Sequence, residues 1–394
     1  MRWEKVKLGE LAKCIQPGPF GSQLHNSDYA DEGTPIVMPK DMINGRIRHA
    51  SLIRVPDDHL ERLRRHQVSA GDLMVARKGD VRKCVYITEE EEGWLTGSDC
   101  LKVCLDKSRC FPKFIYYQLR SPYIANWLEQ ISIGSTMPSL NTGLLSSIEL
   151  NLPEISKQKT IATVLSVYDD LIENNQKQVK LLEEAAKRLY KEWFVDLRFP
   201  GYENTKIVDG VPEGWKRERL VDLVDVQYGY AFDGSLFNTS KKGMPIVRIR
   251  NIPDGSTNDY TTETADSQYI VHNSDILVGM DGEFYINSWS GPDAYLVQRT
   301  CLFRPNNLGM KGYLLQAINE PIKFYESTIV GATVSHLGKK HIDAIAVLTC
   351  PNDKLYEPLQ KYFERRQLLL NQTRLLSEAR DRLLPRLMGD AENF

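Results

Sequence analysis

Two long stretches of the chain carry apolar residues at alternating intervals of four and three positions. In the first stretch nine of ten positions are apolar, and the positions are Ile161, Leu165, Tyr168, Ile172, Asn175, Val179, Leu182, Ala186, Leu189 and Trp193. A heptad repeat sustained over this length predicts the seam of a coiled-coil helix. The exception, Asn175, predicts either a polar seam residue that fixes the register of the helices or a solvent-facing position at the edge of the packing.

The second stretch follows the same steps with a weaker seam. Its positions are Leu355, Leu359, Tyr362, Arg366, Leu369, Thr373, Leu376, Arg380, Leu383 and Leu387. Further leucines lie off this stripe, at Leu368, Leu370, Leu375 and Leu384. The second helix is therefore predicted to bury more than one face, one against the first helix and another against a partner protein. A helix of about 35 residues is roughly 50 Å long.

A mixed α/β domain precedes each long helix. Short, β-branched, turn-bounded runs predict strands, namely PIVMP, DLMVA and CVYIT in the first domain and PIVRI, DILVG and YLVQRTCLF in the second. The segments FIYYQLRSPYIANWL and GYLLQAINEPIKFYES predict a helix in each domain. A short amphipathic helix is predicted at each domain start, where Trp3 and Trp215 are expected to anchor it to the core.

Four blocks of sequence occur twice in the same order. WEKVKLGEL at Trp3 and WKRERLVDL at Trp215 are 215 − 3 = 212 positions apart, and GTPIVMPKDM and GMPIVRIRNI, at Gly33 and Gly243, are 210 apart. AGDLMVARKGD and NSDILVGMDGE are 203 apart, and GSTMPSL and GATVSHL are 197 apart. An offset that is constant within blocks and shifts between them indicates a duplicated domain with variable surface loops.

The predicted fold class is α+β, with two repeated α/β domains separated by two long antiparallel coiled-coil helices in a pseudo-twofold arrangement. The first domain is placed at residues 1–155 and the second at residues 213–351. The long helices are placed at 156–198 and 352–394, with a linker at 199–212.

Composition narrows the class of protein. The 394 residues are 42% hydrophobic and 26% charged, and no apolar run approaches the roughly 20 residues that cross a bilayer. The N-terminus lacks the features of a secretion signal, and seven scattered cysteines favour reduced thiols in a cytoplasmic protein. Cys100, Cys104 and Cys110 lack the C-x-x-C spacing and the nearby histidine of a zinc site, so no metal is expected.

A net charge of −2 means that any nucleic acid would be bound by local basic patches. Between Lys40 and Lys83, 11 Lys/Arg residues stand against 6 Asp/Glu residues, whereas the interval between Arg250 and Arg299 contains eight acidic residues and no Lys or Arg. Phosphate contacts of the second domain are therefore expected from Lys241, Lys242, Arg248, Arg250, Lys339 and Lys340.

The motifs of common nucleotide-dependent and hydrolytic enzymes are absent from the sequence. It contains no G-x-x-x-x-G-K-[ST], G-x-G-x-x-G, H-E-x-x-H or G-x-S-x-G, and no N-P-P or D-P-P followed by an aromatic residue. The acidic run from Glu89 to Glu92 is interpreted as a solvated loop. A non-catalytic protein is the main hypothesis. The alternatives are a self-contained DNA-modifying enzyme and a coiled-coil scaffold that does not read DNA.

The sequence resembles the specificity subunits of type I restriction-modification systems over essentially its whole length. The resemblance rests on the twofold repeat, W-x-x-x-x-L at each domain start, G-D-L-x-V-A-R-x-G, G-S-T-M-P-S-L-N and QKTIATVLSVYDDLIENNQKQVKLLEEAAKRLYKEWF. The family implies two target recognition domains, each reading one half of a split sequence in double-stranded DNA. It also implies helices that set the gap and dock two methyltransferase subunits, with two restriction subunits in the full complex. Those partners would bind S-adenosylmethionine, ATP and Mg²⁺, and this chain would carry no cofactor and no catalytic residue.

Direct reading of bases uses Arg, Lys, Asn or Gln at base edges, whereas phosphate contacts position the protein. In the first domain the candidates are Phe20, Ser22, Gln23, Lys40, Arg46, Arg48, Arg77, Lys78, Ser135, Thr136 and Asn141. In the second domain they are Tyr228, Tyr230, Phe232, Lys241, Arg248, Arg250, Asn251, Thr333, Ser335 and His336. Two ordinary alternatives stand beside them. An exposed arginine is more often a solvated surface residue, and the run from Tyr228 to Phe232 also fits a half-buried strand.

Overall fold

The structure is a computed structural model that describes residues 3–132, 139–328 and 335–389. The chain forms two compact units, one made of Met1–Asp170 with Ser377–Phe394 and the other of Leu171–Leu376. The first unit contains a globular first head, residues 3–152, and the second unit contains a second head, residues 215–349. Each of the two long helices contributes one segment to each unit.

Short strands and helices alternate in the first head. Its strands are β1 (Glu4–Lys7), β2 (Ala12–Pro17), β3 (Thr34–Val37), β4 (Met42–Ile43), β5 (Arg46–Ile47), β6 (Ile53–Val55), β7 (Leu73–Ala76), β8 (Cys84–Tyr86), β9 (Leu95–Thr96), β10 (Cys100–Leu105) and β11 (Glu149–Leu152). Its helices are α1 (Leu8–Leu11), α2 (Leu60–Leu63), α3 (Pro112–Leu119), α4 (Pro122–Ser132) and α5 (Thr142–Ser146), and the long helix α6 (Ile155–Tyr190) follows.

The second head repeats this order after a short connection. The segment predicted as a linker contains a hairpin of β12 (Ile207–Val208) and β13 (Val211–Pro212). The strands of the head are β14 (Lys216–Arg219), β15 (Val224–Tyr228), β16 (Phe237–Asn238), β17 (Met244–Val247), β18 (Tyr260–Thr261), β19 (Ile270–Val271), β20 (Ile276–Gly279), β21 (Ile286–Ser288), β22 (Ala294–Leu296), β23 (Thr300–Pro305) and β24 (Ala346–Thr349). Its helices are α7 (Leu220–Leu223), α8 (Lys311–Ala317), α9 (Asn319–Thr328) and α10 (Lys339–Ala344), and the long helix α11 (Glu357–Leu387) follows.

The two heads share one sheet topology. The main sheet has the order β2-β10-β7-β8 in the first head and β15-β23-β20-β21 in the second. A further sheet contains a parallel pair, β3–β9 or β17–β22, and an antiparallel pair, β1–β11 or β14–β24, joins the two ends of each head. The predicted mixed fold of two repeated domains is confirmed.

One of the two central strands of each main sheet, β7 or β20, is buried on both faces. In β7, Leu73 and Val75 pack in a core with Phe114 of α3, whereas Met74 packs with Val37 of the neighbouring sheet. Strand β20 divides its side chains between two cores in the same way. Because side chains alternate across a strand, a strand that is apolar at every position can fill two cores.

The start of each head is not the amphipathic helix that was predicted. Residues after Trp3 form strand β1, which pairs with β11, and only then the single turn α1. Val6 is buried in β1 while its neighbours Lys5 and Lys7 are exposed, so the local pattern has the period of a strand. The same order of strand and turn follows Trp215. The helix prediction was wrong because backbone pairing with a strand distant in sequence decides the conformation.

The tryptophans do pack against the cores as expected. Trp3 lies against Phe114 with ring centroids 6.3 Å apart, and Trp215 lies against Phe199 at 4.6 Å and Phe194 at 5.4 Å.

Within the first unit the long helices run antiparallel. The ring of Trp3 lies beside both Lys157, near the start of α6, and Gly389, just after α11. Further from these two ends, Asp169 of α6 binds Arg380 of α11. The Arg380 guanidinium donates to Asp169 at 2.7 Å, and Asp169 also accepts the Tyr117 hydroxyl at 2.7 Å. The polar position Arg380 of the predicted seam is therefore filled by a partly buried ion pair.

Within the second unit the helices also run antiparallel. Phe194, just after α6, stacks on Tyr356, just before α11, and Glu183 binds Arg366 at 2.7 Å. Arg366 is buried and donates further to Asn287 at 2.8 Å. Asn175 is only 6% exposed, so the solvent-facing interpretation of this seam residue was wrong. The predicted antiparallel helices are confirmed within each unit, and none of the helices in the described part of the chain is long and apolar enough to span a membrane.

Candidate nucleic-acid interface

One edge of the first head gathers the ends of several strands. The Arg77 N–H donates to the Asp99 carbonyl oxygen at 2.7 Å, and the Leu140 N–H donates to the Arg77 carbonyl oxygen at 2.8 Å. Lys78 forms an isolated bridge with Ser139, which joins the residues just before α5 to the end of β7. We call this region the first edge, and its residues are Phe20, Arg77, Lys78, Asp99 and Ser139.

The second head builds an equivalent edge from equivalent contacts. The Met280 N–H donates to the Arg299 carbonyl oxygen at 2.9 Å, and the Leu337 N–H donates to the Met280 carbonyl oxygen at 2.7 Å. Asp281 forms an isolated bridge with His336. We call this region the second edge, and its residues are Met280, Asp281, Arg299 and His336.

Each head places one arginine over a phenylalanine ring. The Arg77 guanidinium lies 6.0 Å from the ring centre of Phe20, and the Arg248 guanidinium lies 5.5 Å from that of Phe237. Phe20 is 55% exposed. An aromatic ring supports the guanidinium plane without occupying its donors, so such an arginine keeps its hydrogen-bonding fork for a base or a phosphate.

Each edge contains an ion pair, but the acidic and the basic residue have exchanged positions between the two heads. Lys78 lies 3.3 Å from Asp99 in the first edge, whereas in the second edge the carboxylate is Asp281 and the cation is Arg299. Burial alone would raise the pKa of Asp281, but hydrogen bonds from His336, at 2.5 Å, and from Arg299 lower it. Asp281 therefore stays ionised and holds the Arg299 and His336 side chains in place.

Arg299 is a candidate that the sequence did not single out. In the sequence it only marks the end of the interval that contains no Lys or Arg. Its position opposite Asp281 could have been found by aligning it with Asp99, since the ends of β7 and β20 are 203 positions apart and the starts of β10 and β23 are 200 apart.

Three of the predicted DNA-reading residues form hydrogen bonds with nearby residues of the protein. Arg250 binds Asp259 through two hydrogen bonds, at 2.6 and 3.1 Å. Asn251 accepts the Arg248 N–H at 2.9 Å, and Asn141 accepts the Leu144 N–H at 2.8 Å as the N-cap of α5. These contacts explain the residues without DNA, and their part in base reading stays a prediction.

The aromatic run of the second head lies largely inside the protein. Tyr230 packs against Phe232 at 4.8 Å and Tyr269 at 5.2 Å, and Phe232 is buried. Burial raises the pKa of Tyr228 to about 12. These contacts favour the half-buried interpretation of the run over stacking on DNA bases.

The remaining basic candidates of the first head lie on the segment after β3. Lys40 is exposed, and Arg48 lies 3.9 Å from the buried Asp41. Arg46, on β5, binds Asp170 of α6 at 2.9 Å. Arg46 is therefore directed to the long helix, whereas Lys40 and Arg48 remain partly open to solvent.

An arginine of α2 donates a hydrogen bond to the backbone of the loop after β2. The Arg62 guanidinium donates to the Gln23 carbonyl oxygen at 2.6 Å. The amide oxygen of Gln23 is buried and has no hydrogen-bond partner among the described residues. In the second head Lys241 is exposed, and the Ser335 carbonyl oxygen accepts the Gly282 N–H at 3.0 Å. The candidates Ser135, Thr136 and Thr333, with the side chain of Ser22, lie outside the described residues.

Comparison with known proteins decides the class of this chain. A family model described as a type I restriction modification DNA specificity domain matches residues 1–184 and 212–354. The chain belongs to this family. Its two heads are target recognition domains, and DNA sequence specificity is its role.

Individual relatives agree with the family. The chain is 27% identical to the type I restriction enzyme MjaIX specificity subunit of Methanocaldococcus jannaschii, over 98% of this chain and 92% of that one. It is 20% identical to the type I restriction enzyme HindI specificity subunit of Haemophilus influenzae, over 98% and 99%. It shares its fold, with a TM-score of 0.57 and 16% identity over 98% and 96% of the two chains, with a type I restriction-modification S subunit from M. genitalium.

The sequence pattern did not indicate a cluster of one histidine and two glutamates in the first target recognition domain. The ligand atoms of His49, Glu90 and Glu91 lie within 4.8 Å of one another, and His49 contacts Glu91 at 2.9 Å and Glu90 at 3.2 Å. Glu91 is only 6% exposed, and it also accepts the Thr88 N–H at 2.8 Å. The interpretation of the acidic run as a solvated loop was therefore wrong for Glu91, which is buried and bonded to a histidine that is distant in sequence.

Proposed function

We propose that this chain reads a bipartite DNA sequence, with one target recognition domain for each half-site. The observation that carries the proposal is the repeated edge. Both heads bring the same strand ends together at an edge. Each head also places an arginine over a phenylalanine ring, Arg77 after β7 in the first head and Arg248 after β17 in the second. Arg77 and Arg248 are our principal base readers, and the other named candidates supply further base and phosphate contacts.

The long helices are proposed to dock two methyltransferase subunits and, in a complete system, two restriction subunits. Apolar side chains on the helices support this role. Val164 and Val167 of α6 are 42% and 53% exposed in the first unit, and Leu181 is 65% exposed in the second. On α11, Leu368 and Leu375 are 47% and 54% exposed. Exposed apolar residues in such number on helices mark interaction surfaces.

Catalysis is proposed to belong to the partners. S-adenosylmethionine, ATP and Mg²⁺ would be bound there, and this chain would contribute no catalytic residue. The purified chain is expected to show no turnover with DNA, Mg²⁺ and S-adenosylmethionine. Methylation or cleavage by a preparation free of partner subunits would favour a self-contained enzyme instead.

The two readers are tested separately in the complex with a methyltransferase. Arg77→Ala is expected to weaken binding by about 1–3 kcal/mol and to relax sequence preference at one half-site, and Arg248→Ala is expected to do the same at the other. Arg217→Ala is a matched control, since Arg217 is exposed on β14, outside both edges. Affinity is measured as a function of salt concentration, because phosphate-driven binding weakens steeply with salt. Unchanged binding and methylation in both variants would remove these readers, and salt-insensitive or sequence-independent binding would favour a scaffold.

A further inference from the structure

Two cysteines face each other on neighbouring strands of the first head. Cys14 of β2 is the register partner of Cys104 of β10 in an antiparallel pair. Register partners in such a pair have Cα atoms about 4.5–5.5 Å apart and side chains on one face. A disulfide needs a Cα separation of about 4.4–6.8 Å, so the backbone already has the spacing of a cross-strand disulfide. Both side chains are partly exposed, and both cysteines are free thiols.

The surroundings favour a reactive thiolate at Cys14. A hydrogen bond from the Cys104 thiol, together with the charge of Lys102, lowers the pKa of Cys14 to about 6 although burial opposes this. The same hydrogen bond and burial raise the pKa of Cys104. Lys102 is fixed by hydrogen bonds from its ammonium to the Arg65 and Gln67 carbonyl oxygens, both at 2.7 Å. At neutral pH Cys14 is the nucleophile of the pair and Cys104 is the partner that resolves the first oxidation product.

The second head has an ion pair in place of the thiol of Cys104. Its register partners are Asp225 and Arg304, and Arg304 binds the buried Asp275 at 2.6 Å. Asp72 of the first head corresponds to Asp275. The Asp72 carboxylate lies beside the Cys104 thiol instead of a guanidinium, and burial raises the pKa of Asp72. The first head therefore has a thiol, Cys104, where the second head has a cation that binds a buried carboxylate next to the neighbouring strand β20.

We propose that Cys14 and Cys104 are an oxidation site at which a hydroperoxide closes an intramolecular disulfide between β2 and β10. The Cys14 thiolate attacks the peroxide oxygen, the O–O bond breaks, and with one proton the products are a sulfenic acid and water. Cys104 then attacks the sulfenic sulfur, the S–O bond breaks, and a second water leaves with the Cys104 proton. In sum, two thiols and one hydrogen peroxide give one disulfide and two waters.

The other described thiols give the proposal its selectivity. Burial raises the pKa of Cys84 to about 12 and that of Cys110 to about 11, and it raises the pKa of Cys100 and Cys301 further still. A thiol that is protonated and enclosed reacts slowly with peroxide. These residues serve as internal controls in the same chain.

Peptide mapping of the full-length chain tests the proposal. The chain is treated with a small excess of hydrogen peroxide, its remaining thiols are alkylated, and it is digested with trypsin. Cys14 and Cys104 fall in separate peptides, residues 14–40 and 103–107, each with one cysteine. We expect a linked pair of these peptides, two hydrogens lighter than their sum and lost on reduction, from monomeric protein. Alkylation of both residues after oxidation, or a link to another cysteine or another chain, would overturn the proposal.

Single variants separate the two roles. Cys104→Ser is expected to leave a sulfenic acid at Cys14 that dimedone labels, whereas Cys14→Ser is expected to abolish both the link and the rapid consumption of peroxide. Cys110→Ser removes another thiol of the same head and is expected to keep the link at the wild-type rate. If a variant fails to fold by circular dichroism, the wild-type peptide map still decides. None of these measurements requires DNA, so their outcome is independent of the proposed function.

Discussion

The two heads have the same strand order and different chemistry at matched positions. Where the second head joins two strands of its main sheet through Arg304 and Asp275, the first head has Cys104 beside Asp72. Where the first edge has Lys78 and Asp99, the second edge has Asp281 and Arg299. The comparison shows that sheet topology requires a stable contact at these places but does not prescribe its type, because backbone pairing and apolar packing already define the fold.

The largest expected effect concerns the strand-joining ion pair. Arg304→Met leaves the carboxylate of Asp275, which is 4% exposed, without its cation, and we expect a loss of about 3 kcal/mol in the stability of the second unit. The matched change Cys104→Met in reduced protein removes no charge and is expected to cost about 1 kcal/mol or less. Urea unfolding followed by hydrogen exchange in β20 and β7 measures both. Equal losses in the two heads would contradict the comparison, and recovery in the double variant Arg304→Met, Asp275→Leu would support it.

The next effect compares the carboxylates that hold the long helices. Asp169→Ala leaves Arg380 and Tyr117 without their shared acceptor in a site where the Asp169 side chain is 11% exposed, and we expect a loss of about 3 kcal/mol in the first unit. Glu183→Ala in the second unit is expected to cost less than about 1 kcal/mol. Glu183 is 46% exposed, and Arg366 keeps its bond to Asn287. Chemical denaturation measures the loss of stability in each variant. A larger loss for Glu183→Ala than for Asp169→Ala would contradict the prediction.

The third effect is a dependence on pH in the first head. Burial, with the charge of Arg65, lowers the pKa of His66 from 6.5 to about 4. The unfolded chain therefore binds more protons between these values, and stability is lost as the pH falls from about 6.5 to about 4, by up to about 3 kcal/mol. His66→Gln is expected to remove this dependence. Unfolding curves at several pH values test it, and a wild-type first unit that gains stability on acidification would contradict the sign.

The smallest expected effect comes from exchanging the exposed ion pair of the first edge. The side chains of Lys78 and Asp99 are 47% and 42% exposed, so each single charge change is expected to cost about 0.5 kcal/mol. The double variant Lys78→Asp, Asp99→Arg adopts the orientation found in the second edge and is expected to recover most of that loss. A double-mutant cycle by thermal unfolding measures the coupling, and an additive result would mean that the pair contributes nothing.

Much of the fold could be predicted from the spacing of apolar residues along the chain. The heptads predicted two long helices, and α6 and α11 cover most of the predicted positions. The repeated blocks predicted a shared topology because they contain the buried central strands β7 and β20, whose apolar runs leave few alternatives. The segments after Trp3 and Trp215 were predicted wrongly, because their four-residue strands are stabilised by partners more than 100 positions away.

The sequence by itself determined the duplication, the strand-rich heads and the long helices, since each of these depends on the order of apolar and polar residues along short segments. Only the tertiary structure decided which polar groups meet. It brought Arg77 over Phe20, Arg299 to Asp281, His49 to Glu91, and Cys14 opposite Cys104. Such pairs join residues from different strands, and no local periodicity encodes their proximity, because it arises from the register of the assembled sheet.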